Sequence, residues 1–216
     1  IMQTSSNQSL IYKLFTLTLL LAIAFSLRLY YINHTLIDTP IRADAKDYYS
    51  YAVNIKNHQI YSRTWPSNPH VKPDALRSPG YPFFISEFVS WPPATSMIWT
   101  ISFWQALLDT LTVLMTYFLA RYFLSNKLAF VTALLTAISP HLISATSYVL
   151  TETLFCFLMT ASLLVLTIAI NKKSSLIYFL AGTLFALASL TRPTIQYFIV
   201  PLAIGLFIAR IHLPDS

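Results

Sequence analysis

The chain has 216 residues, of which 56% are hydrophobic and only 10% charged, with a formal net charge of +6. A soluble domain carries about 25% charged residues, so the composition excludes an ordinary globular domain and points to a chain whose main solvent is lipid. The basic residues form no run, which argues against nucleic acid as a partner and fits Lys and Arg at the cytoplasmic ends of helices.

In chain order, residues 1–9 read as a short polar tail. A helix of about 20 residues crosses the hydrocarbon core, and the first candidate runs over 10–32, with Lys13 near its start and Arg28 near its end. A signal peptide is the competing reading, with Leu14–Leu21 as its apolar region and a cleavage site at Ala22-Ile23-Ala24. The apolar pattern continues through Phe25, Leu27, Leu29 and Ile32, longer than such a region needs, and favours a retained helix.

Residues 33–95 form a long polar loop holding six of the fourteen Lys and Arg residues and five of the eight Asp and Glu residues. Within it, 43–58 reads as an amphipathic helix, with Tyr48, Tyr51, Ala52 and Ile55 at i, i+3, i+4 and i+7. Asp44 and Asp47 at its start resemble a capping box. Trp65-Pro66-Ser67-Asn68-Pro69 marks an irregular stretch. The aromatic run from Tyr81 to Trp91 suits a helix lying in the membrane interface, ended by Pro92-Pro93.

Five more spans follow, at 97–124, 128–145, 149–170, 176–190 and 195–209, joined by short loops. The expected architecture is thus an all-α integral membrane protein with about six transmembrane helices in a single domain. With a cytoplasmic N-terminus, the inside loops hold Arg121, Lys127, Lys172, Lys173 and Arg210. Only Arg192 and His141 fall in the short outside loops. The long loop is exempt from the charge rule and lies outside. This predicts a multi-pass protein of a bacterial inner membrane with its chemistry on the outer face. Cys156, the single cysteine, can form no intrachain disulfide and reads as a small hydrophobe.

Several charged residues invite a role beyond packing. Asp44 and Asp47 share one face of a helix turn, and capping and catalysis are both open to them. Arg77 precedes the rigid Ser78-Pro79-Gly80-Tyr81-Pro82 turn, where it either marks a tight return to the membrane surface or pairs with a phosphate. Asp109, a turn after Gln105, lies mid-span and suits a structural interhelical role. Glu152 lies near the outside end of its span and suits a site. Arg192 and Arg28 sit at outer ends, where each either snorkels or offers a phosphate ligand.

The motifs occur in a telling order. Arg42-Ala43-Asp44-Ala45-Lys46-Asp47-Tyr48, then Arg77-Ser78-Pro79-Gly80-Tyr81-Pro82-Phe83-Phe84, Gln105-Ala106-Leu107-Leu108-Asp109, Leu150-Thr151-Glu152-Thr153-Leu154-Phe155 and Leu190-Thr191-Arg192-Pro193-Thr194 follow one another along the chain. Together they resemble the N-terminal half of a GT-C superfamily glycosyltransferase, in the group of protein O-mannosyltransferases and lipid A aminoarabinose transferases.

The resemblance implies transfer of a sugar from a polyprenyl phosphate to a lipid, glycan or protein acceptor. Asp44, and less directly Asp47, would be the general base on the acceptor hydroxyl. Arg77 and Arg192 would hold the donor phosphate, with Glu152, Tyr81 and Arg28 as further site candidates. One carboxylate suffices in such a scheme, because a lipid phosphate leaves as a stable anion, whereas glycoside hydrolysis needs a second, acidic carboxyl.

The cofactor is left open. Some members of the group use a divalent metal and others do not, and no cluster here has convincing metal spacing, His58 and His70 being the nearest candidates. Members are usually longer, with more spans, so the expected readings are a truncated product, a fragment, or one part of a split enzyme whose second chain supplies the missing spans; the other expected partners are the polyprenyl-linked sugar and membrane lipid. Two other classes compete: a non-catalytic lipid-sugar binding or assembly subunit, and a small transporter. The transporter is disfavoured because the polar residues crowd the outer face rather than the midplane.

Overall fold

A computed structural model describes residues 2–212 apart from 36 and 38, with the side chains of 2–11, 199, 206 and 209–212 also outside the description. Arg210's side chain and the terminal 213–216 therefore lie outside the described residues. All regular structure among the described residues is helical.

The first helix, α1 (Met2–His34), takes in most of the expected polar tail. The helix α2 (Asp44–His58) matches the amphipathic pattern and ends on Gln59 in the left-handed conformation, a common helix stop. The short α3 (Gly80–Ser86) replaces the longer interfacial helix expected over the aromatic run. It packs on α2 and on the far end of the bundle rather than standing alone. Next, α4 (Thr95–Ala120) stops short of the expected 124 and gives way to turns.

The third expected span is broken. The helix α5 (Asn126–Ala137) ends, and α6 (Pro140–Ala145) restarts after a two-residue gap. Pro140 explains the break, because proline has no N–H and biases the residue before it away from helix. The next two helices are α7 (Glu152–Lys172) and α8 (Ser175–Thr191). A 3-10 turn over Pro193–Ile195 leads into α9 (Gln196–His212).

Three segments are long and apolar enough to cross a membrane by length and composition: Tyr12–His34, Thr95–Ala120 and Glu152–Lys172. The other expected spans are shorter. The 12 residues of α5 rise only about 18 Å, against a hydrocarbon core of about 30 Å.

Small residues let the helices approach closely. Ala24, Val113, Ala133 and Ala137 are buried where α1, α4 and α5 meet. Ala161, Ser162 and Ala169 of α7, with Ala181 and Ala188 of α8, are buried in the helices that make the largest contact of the fold. Lipid gives apolar side chains little reason to leave it, so close backbone packing supplies much of the attraction.

The loop after α2 is stitched down by polar contacts rather than by a sheet. The Asn54 Nδ2 donates to the carbonyls of Ser62 and Thr64 at 2.9 and 2.8 Å. Tyr51 stacks on Tyr61 and donates its hydroxyl to Asp74, which also accepts the Arg63 N–H at 2.8 Å. Burial pushes the Asp74 carboxyl up, but these hydrogen bonds outweigh it and leave its pKa below the usual carboxylate range.

A depressed carboxylate stabilises the fold above its unfolded pKa, and that stability is lost as the pH falls through the folded value. We expect residues 59–79 to exchange amide hydrogens faster as the pH drops below the ordinary carboxylate range, after correction for intrinsic rates. In Asp74→Asn this extra pH dependence should vanish. An unchanged pH profile in that variant would show that Asp74 is not the responsible group.

Candidate functional site

The site grows from two pieces of chain far apart in sequence. The first is the start of α2. Its N-cap is Ala43, with no side-chain capping bond, so the expected capping box does not form. Both carboxylates turn instead toward Arg77. The Arg77 Nη2 donates to Asp44 Oδ1 at 2.5 Å and lies 2.9 Å from Asp47 Oδ2, to which Nε also donates at 3.0 Å. A guanidinium fork satisfies two carboxylates better than one-turn capping satisfies either. Ala43 holds φ 48°, in the region that favours glycine, where the chain swings into the helix.

Burial alone would lower the Arg77 pKa, but Asp47 and Asp44 outweigh it and hold it above its usual value. The pairs are partly solvated, with Asp44 57% exposed, and pairs of this kind contribute roughly 0–1 kcal/mol. Their weight is therefore in aiming the groups rather than in stability. Tyr48, one turn after Asp44, lies under the Arg77 guanidinium with 5.6 Å from carbon to ring centre. Burial raises its hydroxyl pKa, so it stays protonated at neutral pH.

The second piece is the junction of α7 and α8. Arg192, extended beyond the end of α8, donates from Nη1 to Glu152 Oε1 in the first turn of α7 at 3.0 Å. The two pieces face each other across a cavity of about 250 Å³ lined by Asp44, Tyr48, Arg77, Thr151, Glu152 and Arg192. Three carboxylates and two guanidinium groups thus gather at one end of the bundle, with Asp47 bonded to Arg77 just behind the wall.

What holds the halves together is α3. Tyr81 is fully buried and donates to Gln105 Oε1 at 2.7 Å, while Gln105 Nε2 donates to the carbonyls of Thr146 and Tyr148. Tyr81 therefore supports the site from below and does not line it. Tyr81→Phe should strip one bond from a buried amide and lower stability by about 1–3 kcal/mol. Thermal unfolding in detergent checks this, and an unchanged midpoint would show the bond contributes nothing.

Arg28 is not at the site. It is 0% exposed and its Nε donates to Asp109 Oδ2 at 2.6 Å. Its Nη1 donates to the carbonyls of Ala24 and Ala137 at 2.7 and 2.9 Å. The Ala137 carbonyl lies at the end of α5, where it has no partner within the helix, and Arg28 supplies one. Both readings of Arg28 as an outer-end residue are corrected by this burial, and Asp109 takes the structural role expected of it.

Sequence reasoning missed Tyr48, Thr151 and Thr191 as lining residues. Tyr48 was hidden by its place in the apolar stripe of α2, although its i, i+4 spacing from Asp44 was a usable signal. Among the described residues no group of three or more His, Cys, Asp or Glu side chains is placed to hold a metal ion.

The family described as dolichyl-phosphate-mannose-protein mannosyltransferase matches residues 77–214. That stretch takes in Arg77, Tyr81, Glu152 and Arg192, while Asp44, Asp47 and Arg28 precede it. No curated protein and no solved structure matches the chain.

Proposed function

The chain belongs to the dolichyl-phosphate-mannose-protein mannosyltransferase family, and on that premise we propose that it transfers a sugar from a polyprenyl phosphate to an acceptor hydroxyl at the outer membrane face. The family and the apolar helices make it a membrane protein. In this reading six segments cross, the N-terminus is cytoplasmic, and the cavity opens outside. The observation that carries the reading is the meeting of Asp44, Arg77, Glu152 and Arg192 on one cavity.

The chemistry follows from the charges. Asp44, Asp47 and Glu152 against Arg77 and Arg192 leave the site one negative charge in excess. A phosphate entering it must take an arginine away from a carboxylate. If Arg77 shifts toward the phosphate, Asp44 loses its cation and becomes free to accept a proton from the acceptor hydroxyl. Donor binding would thus prepare the base. The acceptor oxygen attacks the anomeric carbon as Asp44 takes its proton, and the sugar–phosphate bond breaks with both electrons going to the phosphate oxygen. Arg192 and Arg77 stabilise that departing anion, and Tyr48 offers a further donor.

The test is transfer of labelled sugar from a polyprenyl phosphate in membranes containing the protein. Asp44→Asn should lower the rate by about 10²–10⁴-fold, the range for a lost general base. Full activity in that variant at unchanged expression removes Asp44 from the role. Arg192→Ala should weaken donor use. Donor binding without turnover in the parent protein would favour the binding-subunit reading instead.

A further inference from the structure

A second cavity of about 230 Å³ lies on the other side of the Glu152–Arg192 pair, and the reaction above does not use it. Its wall includes Asp109, His141, Thr153 and Cys156 together with Glu152 and Arg192, and the apolar Leu142, Ala145 and Phe155 complete it. Glu152 and Arg192 therefore separate two cavities.

Two residues of this wall carry a polar atom shut off from solvent without a hydrogen-bond partner, Thr153 Oγ1 and Glu152 Oε2. Thr153 is 3% exposed, so its hydroxyl has no recourse to bulk water. Unmade bonds at such atoms are rare and each one needs a reason. Here both belong to residues lining the same cavity, which points to a ligand that satisfies them.

The chemistry of the wall narrows the ligand. Its formal charges are already paired, Asp109 with Arg28 and Glu152 with Arg192. A phosphate or an ammonium would bring in a charge for which neither ion pair leaves a free counter-charge. The ligand group is therefore neutral. A carboxylate oxygen only accepts, whereas a threonine hydroxyl gives or takes. An alcohol meets both, donating to Glu152 Oε2 and accepting from Thr153. An ester or ketone has no proton to give the carboxylate. Leu142, Ala145 and Phe155 give the wall an apolar part that suits an alkyl stem, with His141 beside them.

We propose that this cavity binds a neutral alcohol, the hydroxyl-bearing end of an amphipathic molecule. Glu152 and Arg192 stand between this cavity and Asp44, so the alcohol is not the hydroxyl that Asp44 would deprotonate, and its binding does not depend on the function proposed above.

Cys156 is the only cysteine of the chain and lies in this wall, so it reports occupancy without mutation. The experiment follows alkylation of Cys156 by N-ethylmaleimide in the full chain in phosphatidylcholine nanodiscs, with 1-hexanol or hexane as the probe. Hexanol near saturation should slow alkylation by about fivefold or more, as mass action requires for an occupied site. Hexane at the same membrane concentration should not, and Thr153→Val should lose the hexanol protection while keeping the basal rate.

Equal protection by hexane and hexanol makes the cavity a plain apolar void and overturns the proposal. Ready alkylation that hexanol never slows means water alone fills it, which overturns the proposal equally. A thiol that reacts only after denaturation shows a closed space and is also fatal to it. None of these outcomes depends on sugar transfer. A failed Asp44→Asn test with hexanol protection intact would sink the proposed reaction and leave the alcohol site standing.

Discussion

Gly80→Ala should cost the protein most of its sugar-transfer rate although residue 80 bears no chemistry. A Cβ there would meet Thr191 Oγ1 at 2.8 Å and the Leu190 carbonyl carbon and oxygen at 2.9 Å. Two of those three atoms are backbone, so no rotamer change removes the clash. The start of α3 must move away from the end of α8. Arg77 lies three residues before Gly80 and Arg192 directly after Thr191, so the same movement pulls apart the two cations that face the cavity. Overpacking of this kind destabilises by about 1–3 kcal/mol, and a misplacement of roughly 1 Å costs about 10²-fold in rate. Gly182, which has open space around it, provides the control. Gly182→Ala should keep activity and gain up to about 1 kcal/mol of helix propensity. Transfer assays and thermal unfolding on both variants decide the matter. Wild-type activity in Gly80→Ala would show that the two halves of the site need not stay in contact.

The largest stability effect is expected at the buried pair. Arg28 and Asp109 are 0% and 1% exposed with 2.6 Å between them. Removing one member strands the other, at about 3–5 kcal/mol. Arg28→Ala also leaves the Ala137 carbonyl, at the end of α5, without its partner. Asp109→Asn keeps the shape but leaves the guanidinium without a counter-charge. Arg28→Met combined with Asp109→Leu should recover much of the loss, because two apolar groups of similar size need no partner. Arg28→Lys should not, since one ammonium cannot follow the fork that reaches Asp109 and Ala137 together. Thermal unfolding in one detergent ranks these variants. If both single replacements unfold with the parent, the pair is not holding α1 to α4. Where folded protein remains, donor KM should be unchanged, which separates this role from phosphate binding.

Much of the helical framework is legible in the amino acids, because hydropathy over about 20 residues and the 3.6-residue period are local properties. The boundaries of α2 and α8 fall within a residue of expectation. The break before Pro140 is readable in principle, since proline acts on its own backbone, yet hydropathy alone runs smoothly across it. Asp44, Arg77, Glu152 and Arg192 stand out as charged residues that a lipid-facing chain does not carry idly.

What local reasoning cannot supply is pairing. Asp44 and Asp47 at a helix start look like caps until Arg77 arrives from 33 and 30 residues away. Arg28 at the end of a hydropathy window looks like a residue reaching for the surface. Asp109, 81 residues later, takes it inward instead.

The order of amino acids is enough to point to a helical membrane protein, because hydropathy and helix periodicity are sums over neighbouring residues. Which arginine belongs to the site and which to the scaffold emerges only when the helices pack. A buried charge is governed by the partner it meets, and that partner is set by contacts between segments far apart in the chain.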